Sequence, residues 1–324
     1  MIKLPIASPY SLPESVYWLK KNLFGFSHAH AGLVQTIPRS HVLNANIIPQ
    51  YSLVFVGDIM PTWKKSFGIG DKLEHFIRGS DYLIGNLEGV VISSNKTPLS
   101  WMPSDLWHDP ITLDDLNAIF PPGRTCLSVA NNHAADLGKA AFFGSMDLLS
   151  AKAFNACGSR QHPFCDLNDD IRIISASMWS NRKNDFVFPL ADAVRYCKPK
   201  AFNILFPHFG YEFELHPRPK MIDLAKGLLK DFDTVIGHHP HCPQPITAEA
   251  GGPRGRQLLA YSLGGFTIIT NKLRCRYGMV VKVHVGRNNQ GAWRLGQVEW
   301  RYSQCVPLPN KNLLVDICET PSFD

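Results

Sequence analysis

At 324 residues, 45% of them hydrophobic and 19% charged, the chain is long enough to bury a sizeable core and is neither disordered nor fibrous. Lys and Arg outnumber Asp and Glu by 33 to 27, and the resulting +6 is spread in short groups (Lys20-Lys21, Lys64-Lys65, Lys272 to Arg276), which suits an anionic substrate but gives no basic run for nucleic acid. No apolar run approaches the roughly 18 residues of a membrane span, and eight cysteines without CxxC pairing read as reduced thiols of a cytoplasmic protein.

Residues 1–51 are rich in prolines and aromatics and lack a signal-peptide core, so they are expected to form an N-terminal extension that wraps or caps the rest. Their "FSHAHAG" carries His28 and His30, but a lone His-x-His in a loop is more often surface than ligand. From Ser52 the pattern changes to short β-branched runs: "SLVFVGD", "DYLIGNLEG", "TCLSVANNH", "IRIISAS", "FNILFPHFG", "DTVIGHHPH" and "QLLAYSLGGF". Helical patterns separate several of them, notably Lys139 to Phe154 and Pro219 to Phe232, with Pro219 suited to a first turn. Strand and helix in alternation predict an α/β domain over 52–285. Beyond it, "GMVVKVHVG" and "AWRLGQVEWRY" predict a hairpin through "RNNQG", and 286–324 is expected to add a strand and tail to the same domain.

One regularity organises the rest. Strand after strand ends in a residue able to ligate a metal: Asp58, Glu88, Asn132 with His133, His208, and the cluster His238, His239 and His241. Open α/β sheets place ligands outside the carboxyl ends of their strands, so these residues are expected on one rim. Mixed oxygen and nitrogen donors without cysteine suit manganese, iron or zinc and argue against a closed structural zinc site. In "HPH", residues two apart on extended backbone point the same way, so His239 and His241 could serve adjacent ions.

Taken together, "VGDIM", "GNLEG", "VANNHAADLG", "PHFGYE", "VIGHHPHCPQPI" and "YSLGGF" resemble the bacterial capsule-synthesis (CapA-type, poly-γ-glutamate synthesis) family of the calcineurin-like metallophosphoesterase superfamily, across roughly residues 52–270. The resemblance implies a two-sheet β-sandwich flanked by helices, a four-layer αββα fold. It also implies two divalent ions, the first held by Asp58, Glu88 and His241 and the second by Glu88, Asn132, His208 and His239. His133 would be the proton donor, Asp136 its orienter, and His238 a supporting neighbour. The chain departs from the superfamily's Asp-x-His opening, having Asp58-Ile59-Met60, and from the family's "YSLGNF", having Gly265 in place of the asparagine. The first ion therefore has fewer protein ligands.

Three functions follow from such a site. A metal-activated water could hydrolyse a phosphoester or related anionic substrate, with His133 as general acid. The same ions could instead bind a peptide carboxylate and acidify the adjacent Cα–H for epimerisation or polymer biosynthesis. A non-catalytic accessory role in polymer assembly is the third.

Overall fold

The structure, a computed structural model, describes residues 8–24, 30–93 and 104–323; His28 lies outside them. Two sheets face each other among these residues. The larger, nine-stranded sheet runs in parallel from Ile48–Ile59 through Tyr82–Leu87 and Thr125–Ser128 to Asn155–Cys157 at one edge. On the other side of Ile48–Ile59 it continues antiparallel through Tyr277–Arg287, Trp293–Pro307 and Leu313–Cys318. The six-stranded sheet has Ile171–Ser177, Phe202–His208, Thr234–Ile236 and Arg256–Ala260 in parallel, with Phe164–Asp166 and Ile246–Ala250 antiparallel at its edges.

Strand alternation builds the layers. In Ile48–Ile59, Leu53 and Phe55 pack against Ile173, Ile204 and Phe206 of the facing sheet. Val54 and Val56 turn the other way, onto Leu73, Phe76, Leu116 and Phe142 from helices Asp71–Ile77, Ile111–Ile119 and Gly138–Ala151. On the outer face of the second sheet, Leu205, Val235 and Leu259 meet Met221 and Ala225 of helix Pro219–Leu228. The order is helices, sheet, sheet, helices: the four-layer α/β arrangement expected. Phe202–His208 is buried along its whole length, which is why it reads as a continuous apolar run.

Two helices end earlier than their patterns predict. The chain leaves Gly138–Ala151 by a left-handed residue, Ala153 (φ 61°), so Phe154 enters the core at the start of the next strand instead of extending the helix. Helix Pro219–Leu228 likewise stops one turn short, and Phe232 is buried from the connecting turn. An element with no sequence prediction, helix Leu12–Phe24, is clamped to the second half of the chain. Arg218 bridges Glu14 at 2.9 Å and Glu214 at 2.7 Å, and Lys21 pairs with Glu214 at 2.7 Å.

Candidate metal centre

The strand-end residues come from both sheets. Asp58 is the penultimate residue of Ile48–Ile59, and Glu88 follows Tyr82–Leu87 directly. Asn132, His133 and Asp136 occupy the turn after Thr125–Ser128. From the second sheet come His208, the last residue of its strand, and His238, His239 and His241 beyond Thr234–Ile236. The local sequence permits this crowding. A Cβ on Gly57 would lie 1.9 Å from the Gly264 carbonyl oxygen, so only glycine lets Asp58 donate its N–H to that oxygen at 2.9 Å. At the other wall His239 (φ 109°) and His241 (φ 56°) flank Pro240 with positive φ, a strained conformation for side-chain-bearing residues.

Asp58 is the fully buried hub. Its Oδ1 accepts from Asn86 Nδ2 at 2.9 Å and lies 3.1 Å from His238 Nδ1; its Oδ2 lies 3.0 Å from His241 Nδ1 and accepts the His239 N–H at 3.2 Å. Burial opposes its ionisation, but the hydrogen bonds from His238 and His241 outweigh that and hold the carboxyl well below its usual range. His238 Nδ1 is also 2.9 Å from His208 Nδ1, and His208 Nε2 is 2.8 Å from Asn132 Oδ1. His208 and His239 are pushed well down, first by burial and then by neighbouring imidazoles, so both are neutral and able to offer a lone pair.

Glu88 is the opposite case. Both of its carboxylate oxygens are buried without a hydrogen-bond partner, with His241 Nε2 at 3.7 Å and His133 Nε2 at 3.9 Å from Oε1. Burial and repulsion from Asp58 push its carboxyl well up, while the Asp58 hydrogen bond and the Glu88 charge work against burial to bring His241 up to about 10. In the protein alone, the His241 proton thus supplies the positive charge between two carboxyl groups. Orphaned buried oxygens facing imidazoles fit divalent cations, because burial of such a group without compensation is costly. Two compact donor groups emerge, Asp58 with Glu88 and His241, and Asp58 with His208 and His238. The first coincides with the ligand set that the resemblance implies. The second brings in His238, expected only as a neighbour, and leaves out His239.

His133 stands at the edge. Its Nδ1 lies 2.6 Å from Asp136 Oδ2, so the ring is oriented with Nε2 toward Glu88. Asn181, which no motif marks, reaches His133 Nδ1 at 3.1 Å and accepts from Asn132 Nδ2 at 3.1 Å, which turns the Asn132 oxygen toward His208. His108, which no motif marks either, has its Nε2 2.8 Å from the Glu88 carbonyl, and burial pushes it down to about 4, leaving it a neutral positioning group. These three contacts join residues far apart in the chain, and no local pattern could have announced them.

A cavity of about 500 Å³ opens beside His133, Asn132 and His241. Its walls include Met60, and Trp18 and Leu19 from the N-terminal helix. Ile268 also lines it, and a Cβ on Gly265 would lie 2.5 Å from Ile268 Cγ2. The missing asparagine is therefore coupled to a neighbour that takes its space. Tyr10 completes the inner wall: its hydroxyl lies 2.8 Å from His239 Nε2, and burial with the nearby Glu212 carboxylate holds the phenol protonated well above its ordinary pKa.

Comparison with known proteins gives the chain its relatives. A Bacillus subtilis protein described as PGA biosynthesis protein CapA is 22% identical over 89% of this chain and 80% of its own length. A Bacillus anthracis capsule biosynthesis protein CapA is 22% identical over 66% of this chain, which spans only 56% of that protein. A solved Staphylococcus aureus structure, provisionally assigned as a 5′-nucleotidase and complexed with alpha-ketoglutarate, aligns at 14% identity with a TM-score of 0.45, over 77% of this chain and 53% of that one. Residues 52–166 and 170–270 match the family described as bacterial capsule synthesis protein PGA_cap, and the chain belongs to that family.

Proposed function

We propose that this chain is a metal-dependent hydrolase of a phosphoester or related anionic substrate, with Asp58, Glu88, Asn132, His208, His239 and His241 as ligands of two divalent ions, manganese, iron or zinc. The observation that carries the reading is Glu88: two buried carboxylate oxygens without a hydrogen bond, with His241 Nε2 at 3.7 Å and His133 Nε2 at 3.9 Å from Oε1. When bound, such ions supply a water of lowered pKa and offset the negative charge that develops on the substrate. The protein's own residues do the rest. Asp136 fixes the His133 ring, leaving Nε2 to deliver a proton to the departing oxygen. Asn181 keeps the Asn132 oxygen aimed inward, and His108 holds the Glu88 backbone. Met60, Leu106 and Ile268 give the cavity an apolar wall, while the chain's positive excess favours an anion.

Metal content and hydrolysis of bis(p-nitrophenyl) phosphate and p-nitrophenyl phosphate test this directly. The native protein is expected to carry up to two equivalents and to turn over at least one ester; the His239→Ala, His241→Ala double variant is expected to lose both properties. His133→Ala is expected to retain metal and lose about 10²-fold or more in rate. A native protein that takes up no manganese, iron or zinc after reconstitution sinks the reading.

A further inference from the structure

His239 is absent from both compact donor groups, yet it bears three marks of a ligand. Its backbone is strained at φ 109°, its ring centroid is 4.3 Å from that of His208, and its Nδ1 is buried without a partner. Its other nitrogen is occupied, because Nε2 lies 2.8 Å from the Tyr10 hydroxyl. That hydroxyl is itself held in place. Its oxygen accepts the Glu212 N–H at 3.1 Å, and the ring sits edge-on to Trp179 at 5.0 Å and stacked on Tyr211 at 5.8 Å.

A neutral imidazole carries its proton on one nitrogen and a lone pair on the other, and a hydroxyl can both accept and donate. We infer that Tyr10 is a positioning residue of the metal centre: its oxygen accepts a hydrogen bond from the Nε2–H of His239, so that Nδ1 keeps the lone pair for a metal ion. The inference rests on the metal-centre reading above. Ligating histidines usually pass their second N–H to an oxygen that fixes ring and tautomer, and here that oxygen comes from a segment outside the part of the chain matched to the family, 52–270. Helix Leu12–Phe24 holds Tyr10 there through the Glu14–Arg218–Glu214 and Lys21–Glu214 pairs. The extension is thereby built into the centre. The competing geometry has His239 binding through Nε2, which would make Tyr10 an obstacle, and it predicts the opposite sign.

The test compares full-length wild type and Tyr10→Phe, which keeps the ring packing and removes only the hydroxyl. Mn²⁺ and Zn²⁺ affinities are measured by chelator competition, the absorption of Co²⁺-loaded protein is recorded, and the unfolding midpoint of the metal-free protein is determined. The expected result is affinity about tenfold weaker and an altered Co²⁺ band in the variant, with the midpoint unchanged. In ¹¹³Cd-loaded wild type, coupling is expected to His239 Nδ1. Equal or tighter binding by Tyr10→Phe, or coupling to Nε2, overturns the inference while leaving the metal centre standing. Wild type that binds none of these ions overturns both.

Discussion

Asp58 and Glu88 lie side by side in one buried site, yet the regions around them are finished to different degrees. The Asp58 region is complete from protein atoms alone: two histidine rings, an asparagine amide and a backbone N–H saturate the carboxylate. The Glu88 region offers two oxygens to nothing within hydrogen-bonding reach. A fold does not ordinarily bury a carboxyl group that way unless something else completes it. The contrast separates a carboxylate that protein atoms already satisfy, and that a metal ion would share with them, from one that only a ligand would complete.

The largest effect should come from breaking the finished side. Asp58→Ala leaves His238, His241 and Asn86 buried without their acceptor, and is expected to lower metal-free stability by about 3–5 kcal/mol. Glu88→Gln should leave metal-free stability within about 1 kcal/mol of wild type and still abolish metal uptake. Urea unfolding with and without added Mn²⁺ measures both, and equal destabilisation by the two substitutions would erase the distinction. Next in size is the pH dependence of uptake. His241, brought up to about 10, holds a proton at neutral pH that a bound ion must displace, and the raised pKa of Glu88 adds to the cost in the same direction. Affinity should therefore rise with pH, about tenfold per unit for each proton released, and calorimetry in buffers of different ionisation heat should count those protons. Flat affinity from pH 6 to 8 would contradict the unfinished state of Glu88. The smallest effect concerns the rim: Gly265→Ala pushes on Ile268 and should cost about 1 kcal/mol, since Ile268 borders the cavity and can shift. Adding Ile268→Ala should recover that loss in thermal unfolding, and failure to recover it would place the strain elsewhere.

Much of this was legible because it is periodic or local. Ile171–Ser177 and Phe202–His208 announce themselves by unbroken β-branched and aromatic runs, and the polar residues that end the strands mark the rim before any pairing is known. What escaped is long-range. Tyr10 meets His239 across 229 positions, and Asn181 meets Asn132 across 49, with nothing in either neighbourhood to flag the contact. Spacing pairs His239 with His241 on the assumption of extended backbone, whereas both have positive φ, and it is His238 Nδ1 that lies between Asp58 and His208. The strand Phe67–Ile69, at three residues, is too short to carry a period, and among the described residues it pairs only with Leu313–Cys318, which the turn residues Pro309-Asn310-Lys311-Asn312 set off from Trp293–Pro307.

The Asp58 hydrogen bonds have a mechanical side. Asp58 belongs to the larger sheet, whereas His238, His239 and His241 extend from the smaller, so each bond crosses the seam of the sandwich. Through most of its length that seam is closed by side chains such as Phe55 against Phe206, contacts that tolerate sliding because dispersion has little direction. At the rim it is closed by directional bonds, which do not. The site therefore acts as a rivet, fixing the register of one sheet over the other at the end where the donor atoms must keep their spacing.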